Sequence, residues 1–113
     1  MADEQLSIIL VTAPSQDVAE HLAHGLVTER LAACVNVVSG VRSIYAWEGK
    51  IEQAEEVLMI IKTQSSRYTA LEAFVRAHHP YETPEIVEIP AGQVTPKYLQ
   101  WVMGETTDMA DRH

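Results

Sequence analysis

The side chains with the most chemistry in this sequence are two adjacent histidines, His78 and His79, followed closely by Glu82 and Glu85. Imidazole nitrogen suits copper, zinc and nickel, and carboxylates add oxygen donors. On a regular helix, neighbouring side chains diverge by about 100°, so the pair can share a metal only where the helix ends. Pro80 supplies that end, because the residue before a proline is pushed out of helical geometry. A site here needs further ligands, from Glu82, from Glu85 or from a second subunit. The plainer reading of His78 is packing, since it falls on an apolar stripe with Tyr68, Leu71 and Val75.

Other residues offer less. His21 and His24 stand one helical turn apart with Asp17 nearby, a spacing that can hold a metal but that on an acidic helix face reads as solvated surface. Cys34 could bind a soft metal as its thiolate, but in an apolar run it reads as a small core residue. Trp47, Lys62, Tyr81, Glu82, Glu85 and Trp101 form a second constellation. It offers aromatic stacking, an anion contact from Lys62, and a cation contact or base from the glutamates. The same residues could equally lock subunits together by packing. There is no Gly-rich phosphate loop, CxxC, HExxH or GxSxG, and the chain reads as a non-enzyme. A diffuse acid–base pair of His79 and Glu82 is the one catalytic arrangement left.

With 113 residues and 47 % hydrophobic side chains, the chain fits one domain, residues 1–113. A net charge of −8 argues against nucleic acid and against an anionic membrane surface as partners. One cysteine allows no internal disulfide. The acidic start lacks the basic region of a signal peptide, and no apolar run is long enough to cross a bilayer. A cytoplasmic protein is expected.

These side chains must be positioned by the elements around them. LSIILVTA, Leu6–Ala13, is nearly continuous in hydrophobicity, as a central strand would be. Ser15 is placed to cap a helix over residues 15–32, with Val18, Leu22 and Leu26 in one row. Residues 33–47 and 50–63 read as two strands of a long hairpin, bent at Ser39-Gly40 and turned at Glu48-Gly49. Ser65 or Ser66 is placed to cap a second helix that ends at Pro80. Residues 85–90 form a short strand. Thr95 and Pro96 open a last helix over residues 97–103, ended by Gly104. Residues 105–113 are expected to fray. The order βαββαβ plus a C-terminal helix is that of an α+β, ferredoxin-like sandwich.

A hairpin of this length spans about 46 Å, against about 26 Å for the longest helix. It must overhang its helical layer and carry Ile44, Tyr45, Trp47 and Ile51 with it. Apolar overhangs of this kind meet partners, so self-association is expected.

Several segments in shared order resemble the CutA divalent-cation tolerance family: LAACVN (31–36), YAWEGKIE (45–52), IKT (61–63) and, most specifically, HHPYETPEI (78–86). Thr12-Ala13-Pro14 and Tyr98-Leu99-Gln100-Trp101 also fit, so the resemblance covers residues 6–103. It implies a homotrimer, similar in architecture to PII signalling proteins, in which long hairpins pair across subunits. Cys34, Trp47, Lys62, Tyr81, Glu82, Glu85 and Trp101 would then gather near intersubunit clefts. It also implies copper or another divalent cation as cofactor, with His78 and His79 matching proposed ligands. A cysteine expected at the end of the first strand is replaced by Val11, which has no lone pair to offer. The leading expectation is a trimeric metal-binding or metal-tolerance protein responding to metal ions. The alternatives are a PII-like sensor with a small molecule in the clefts, and a scaffold whose main property is a stable trimer.

Overall fold

The computed structural model describes residues 5–107. Four strands form one antiparallel sheet in the order β2-β3-β1-β4: β1 (Leu6–Ala13), β2 (Cys34–Trp47), β3 (Lys50–Gln64) and β4 (Ile86–Pro90). Helices α1 (Gln16–Thr28) and α2 (Tyr68–His78) fill the two crossovers, and α3 (Pro96–Glu105) follows β4. This is the ferredoxin-like α+β arrangement the sequence predicts.

Strand parity divides the sheet into two unlike faces. The register places Ile9 opposite Ile61, Val11 opposite Met59 and Ala13 opposite Val57. These side chains lie under α1 and α2 and, with Leu22, Leu26, Leu71 and Val75, make the main core. Val11 is therefore a fully buried core residue. The even-numbered residues of β1 point to the other face. There Leu10 sits between Ile60 and Val87, and Thr12 pairs with Leu58. One end of this second face is covered by α3, through Tyr98, Leu99 and Val102 packing near Leu6 and Ile8. Farther along it, Val38, Val87 and Ile89 are exposed.

The hairpin overhangs as expected, and the described residues extend over 50 × 27 × 22 Å. Its tip turns through Glu48 and Gly49, both at positive φ (49° and 79°), the primed geometry that matches the twist of paired strands. Ile44 and Ile51 are 63 % and 74 % exposed.

Several boundaries differ from the sequence expectation. The first helix stops at Thr28, not at residue 32: Arg30 enters the left-handed region (φ 61°), and both Leu31 and Ala32 donate to the Leu26 carbonyl. The Arg30 guanidinium then donates to Gly104 O (2.6 Å) and Thr107 O (3.1 Å), tying α3 to the end of α1. No serine side chain caps α2; a 3-10 turn, Ser65–Arg67, leads into it. Helix α3 passes through Gly104 to Glu105, and Thr106 is buried with its hydroxyl donating to Val102 O. The expected fraying from residue 105 is thus not seen at Glu105, Thr106 or Thr107, whose hydroxyl donates to Met103 O, and the rest of that tail, 108–113, lies outside the described residues. His78 leaves the core stripe and is exposed, while His79 is the buried member of the pair.

Gly25 sits where α1 meets α2. A Cβ there would lie 2.5 Å from the tip of the Phe74 ring. Alanine favours a helix over glycine by about 1 kcal/mol, but crowding a packed contact costs about 1–3 kcal/mol. Gly25→Ala is expected to lower stability by about 1 kcal/mol in wild type and to raise it in a Phe74→Leu background. Urea denaturation of the four proteins of this double-mutant cycle checks the change of sign.

Candidate functional site

The residues after α2 are pinned by His79. Its ring is buried at 8 % exposure. The Nε2–H donates to Thr12 O at 2.8 Å, and Nδ1 accepts the Tyr81 backbone N–H at 3.1 Å. A carbonyl on one nitrogen and an N–H donor on the other fix the neutral Nε2–H tautomer and occupy both nitrogens. His79 therefore ties the end of β1 to the loop before β4. Its adjacent neighbour does something else. His78 stacks on Phe74 (ring centroids 4.2 Å apart, planes at 27°) and donates from Nδ1 to Phe74 O at 2.8 Å. This leaves His78 Nε2 without a partner among the described residues, on an exposed surface. The two imidazoles do not converge.

The loop fixed by His79 forms one wall of a cavity of about 720 Å³. Pro80, Tyr81, Glu82, Thr83 and Glu85 line this side, while Ser43, Ile44, Tyr45 and Trp47 of the overhanging hairpin line the other. Thr12 and Glu56 make the floor. Glu56 is only 9 % exposed, an unusual position for a carboxylate. The Tyr81 hydroxyl donates to its Oε2 at 2.9 Å. Burial first, then that hydrogen bond and the Glu56 charge, push the Tyr81 phenol up to about 12. The cavity's size falls within the range of roughly 300–1,000 Å³ usual for small-molecule sites.

Of the residues singled out in the sequence, Trp47, Tyr81, Glu82 and Glu85 meet at this cavity. Cys34, Lys62 and Trp101 do not. Cys34 and Lys62 are paired across β2 and β3 on the second sheet face, where Lys62 donates to Asn36. Tyr98 lies against Cys34, its phenol raised by burial and then by that sulfur, and Trp101 stacks beside Tyr98. His21, His24 and Asp17 are exposed on α1. Among the described residues, no group of three or more His, Cys, Asp or Glu side chains converges to hold a metal ion. Val11, buried under the helices, contributes no donor. The described residues of one chain therefore do not bring together the ligands of a copper site. Sequence reasoning missed Glu56 and Tyr45 as site residues. The signal was available for Glu56: on β3 it shares parity with Leu58 and Ile60, which puts a carboxylate on the otherwise apolar second face of the sheet.

The fold and the site together define a ferredoxin-like α+β protein with an overhanging hairpin and an aromatic, acidic cavity at its base. The chain belongs to the CutA1 divalent ion tolerance protein family, whose model matches residues 7–105. Protein CutA of Mus musculus is 48 % identical over 106 residues, covering 94 % of this chain and 60 % of the mouse protein. The chain thus spans about three fifths of that relative's length. Divalent-cation tolerance protein CutA of Thermus thermophilus is 43 % identical, covering 88 % of this chain and 96 % of the other. The solved structure of the divalent cation tolerance protein from Thermus thermophilus superposes with a TM-score of 0.89 at 42 % identity, covering 90 % of this chain and 99 % of that one. CutA1 from Oryza sativa also gives 0.89, at 40 % identity, covering 91 % and 94 %.

The Tyr81–Glu56 contact sets a pH signature. The phenol titrates near 10 when unfolded and at about 12 when folded, so the folded state holds its proton more tightly. The stability this adds is complete below pH 10 and is lost as pH rises towards 12. Wild type is expected to lose its margin over Tyr81→Phe across that window, measured as the difference between their urea midpoints at a series of pH values.

Proposed function

We propose that this protein acts in divalent-cation tolerance as a homotrimeric binding protein rather than an enzyme, and that copper or another divalent cation is the ion it handles. The observation that carries the metal reading is the setting of His78. Imidazoles that ligate metals usually donate their other N–H to a carbonyl or carboxylate, which fixes the ring and aims the free nitrogen. The Nδ1–H···O=C bond from His78 to Phe74 and the stack on the Phe74 ring do this here, with Nε2 outward. One imidazole is not a site, so the remaining donors come from another subunit. His79 serves as a structural clasp. The family membership supports the role in cation tolerance.

Assembly into a trimer is supported by two surfaces that one chain leaves uncovered: the exposed aliphatic part of the second sheet face, at Val38, Val87 and Ile89, and the apolar hairpin overhang. Sheet faces of this composition are covered in soluble proteins by another layer. A cytoplasmic location belongs to the same proposal. Among the described residues no helix is long and apolar enough to cross a membrane; the relatives from Oryza sativa and Arabidopsis thaliana carry chloroplastic names, a location that belongs to those proteins.

A second reading is favoured by the cavity itself: its size, aromatic walls and buried carboxylate suit a small-molecule sensor, with the cavity opening into an intersubunit cleft.

Two measurements test these readings. In sedimentation at micromolar concentration, a species of three times the 12.6 kDa chain mass is expected, and a monomer would overturn the assembly reading. In Cu(II) and Zn(II) titration calorimetry, with His113 replaced so that the tail imidazole does not compete, His78→Ala is expected to abolish saturable binding. His79→Ala is expected to retain it while losing about 1–3 kcal/mol of stability, because Thr12 O and the Tyr81 N–H lose their partner. Binding that survives His78→Ala would sink the metal reading.

A further inference from the structure

The cavity at the base of the hairpin has a definite chemical sign. Its carboxylates are Glu56, Glu82 and Glu85, and among the described residues no lysine, arginine or histidine lines it. By strand register Arg42, opposite Glu55, is closer but falls on the other face of the hairpin, and Lys50 stands opposite Trp47 at the tip, outside the lining. Glu56 is nine-tenths buried on the floor. Its Oε2 is held by Tyr81, and its Oε1 has no hydrogen-bond partner among the described residues. The Tyr81 ring reaches it directly, and Tyr45 and Trp47 continue the lining along the hairpin towards its tip, opposite Glu52 and Lys50. An aromatic face attracts cations through its quadrupole, by about 0.5–2 kcal/mol depending on desolvation. A carboxylate beside such rings repels anions, and Glu56 Oε1 is not among the fully buried side-chain atoms that lack a partner, so it stays open to the cavity. Phosphate-bearing and carboxylate metabolites are therefore disfavoured. A hydrated divalent cation would use the carboxylates and waste the aromatic walls.

We propose that this cavity binds a small organic cation, an ammonium group on an apolar body, with the charge against Glu56 and the body between Trp47, Tyr45 and Tyr81. The proposal deepens the small-molecule reading of the cavity and rests on it; it does not depend on metal binding at His78. Each residue has a distinct part. Glu56 supplies the counter-charge, and Tyr81 holds that carboxylate in one orientation by donating to Oε2. Trp47 and Tyr45 supply apolar area and a negative ring face. Glu82 and Glu85 sit on the loop wall, where they raise the local concentration of cations.

The test uses three probes that share a ring and differ in charge: 2-phenylethylammonium, 2-phenylethanol and phenylacetate. Each is titrated into the wild-type protein by calorimetry. The ammonium is expected to bind at least about tenfold more tightly than either of the others, the factor that roughly 1.4 kcal/mol of charge and cation–π preference gives. Glu56→Gln keeps the shape of the floor and is expected to remove that preference while the melting curve stays cooperative. Trp47→Leu is expected to weaken the ammonium, with sedimentation of the variant checking that the assembly, which shares the hairpin overhang, is retained. Equal or tighter binding of phenylacetate or phenylethanol overturns the proposal. So does a wild type that binds none of the three, or a Glu56→Gln protein that still prefers the ammonium. Sedimentation separates this from the assembly reading. A trimer that binds no ammonium refutes the cation site alone, and a monomer that binds it refutes the trimer alone.

Discussion

Between Val38 and Val41 two residues of β2, Ser39 and Gly40, stand opposite the single Val57 of β3. The strand changes parity there, and the composition of the cavity follows from that change. Side chains alternate across a sheet with a period of two, so one extra residue sends every later side chain to the opposite face. Without the bulge, Arg42, Ile44 and Ala46 would share a face with Glu56. With it, Ser43, Tyr45 and Trp47 do. Gly40 makes this possible because its backbone sits at φ 81°, where a side chain would be strained. The aromatic walls and the lack of a cation beside the buried carboxylate both trace to this one irregularity.

The His79 clasp is the second fixed point. Most loops are shaped by their own turn residues, but the stretch between α2 and β4 is held by a ring that bridges β1 and the loop backbone. Burial makes those two hydrogen bonds worth more than they would be in water. They hold Tyr81 where its hydroxyl can reach Glu56 across the sheet. Pro80 and Pro84 stiffen the same stretch. The adjacent histidine is free of this duty, because the chain leaves helical geometry between the two residues and aims their rings apart.

Much of this architecture was legible in the sequence because the patterns were strong. The unbroken LSIILVTA run marks the central strand, Glu48-Gly49 marks the hairpin tip, and Ser39-Gly40 marks the bend. The helix ends were harder to read. Residues 29–32 continue the helical composition, and only the left-handed turn at Arg30, a tertiary choice linked to its grip on α3, breaks the pattern. Gly104 looked like a stop, yet the helix runs through it. In the site, residue types pointed to Trp47, Tyr81, Glu82 and Glu85, but Cys34, Lys62 and Trp101 went elsewhere because type says nothing about which end of a long sheet a residue occupies. The split roles of His78 and His79 depend on one backbone angle at the helix end. Pro80 fixes that angle by holding His79 extended, but the residue types do not tell which ring is then buried and which is exposed.

The position of β1 at the centre of the sheet bears on how the chain is made. It is synthesised first, but its two partners are residues 57–64 of β3 and the distant β4. The most hydrophobic segment of the core must wait, unpaired, until those strands exist. At translation speeds of about 5–20 residues per second, the wait for β3 alone is roughly 2 to 9 s. During that time α1, which can form from local contacts, is the one neighbour already available to shield it. The amphipathic helix that follows the central strand is in this sense also its escort on the ribosome.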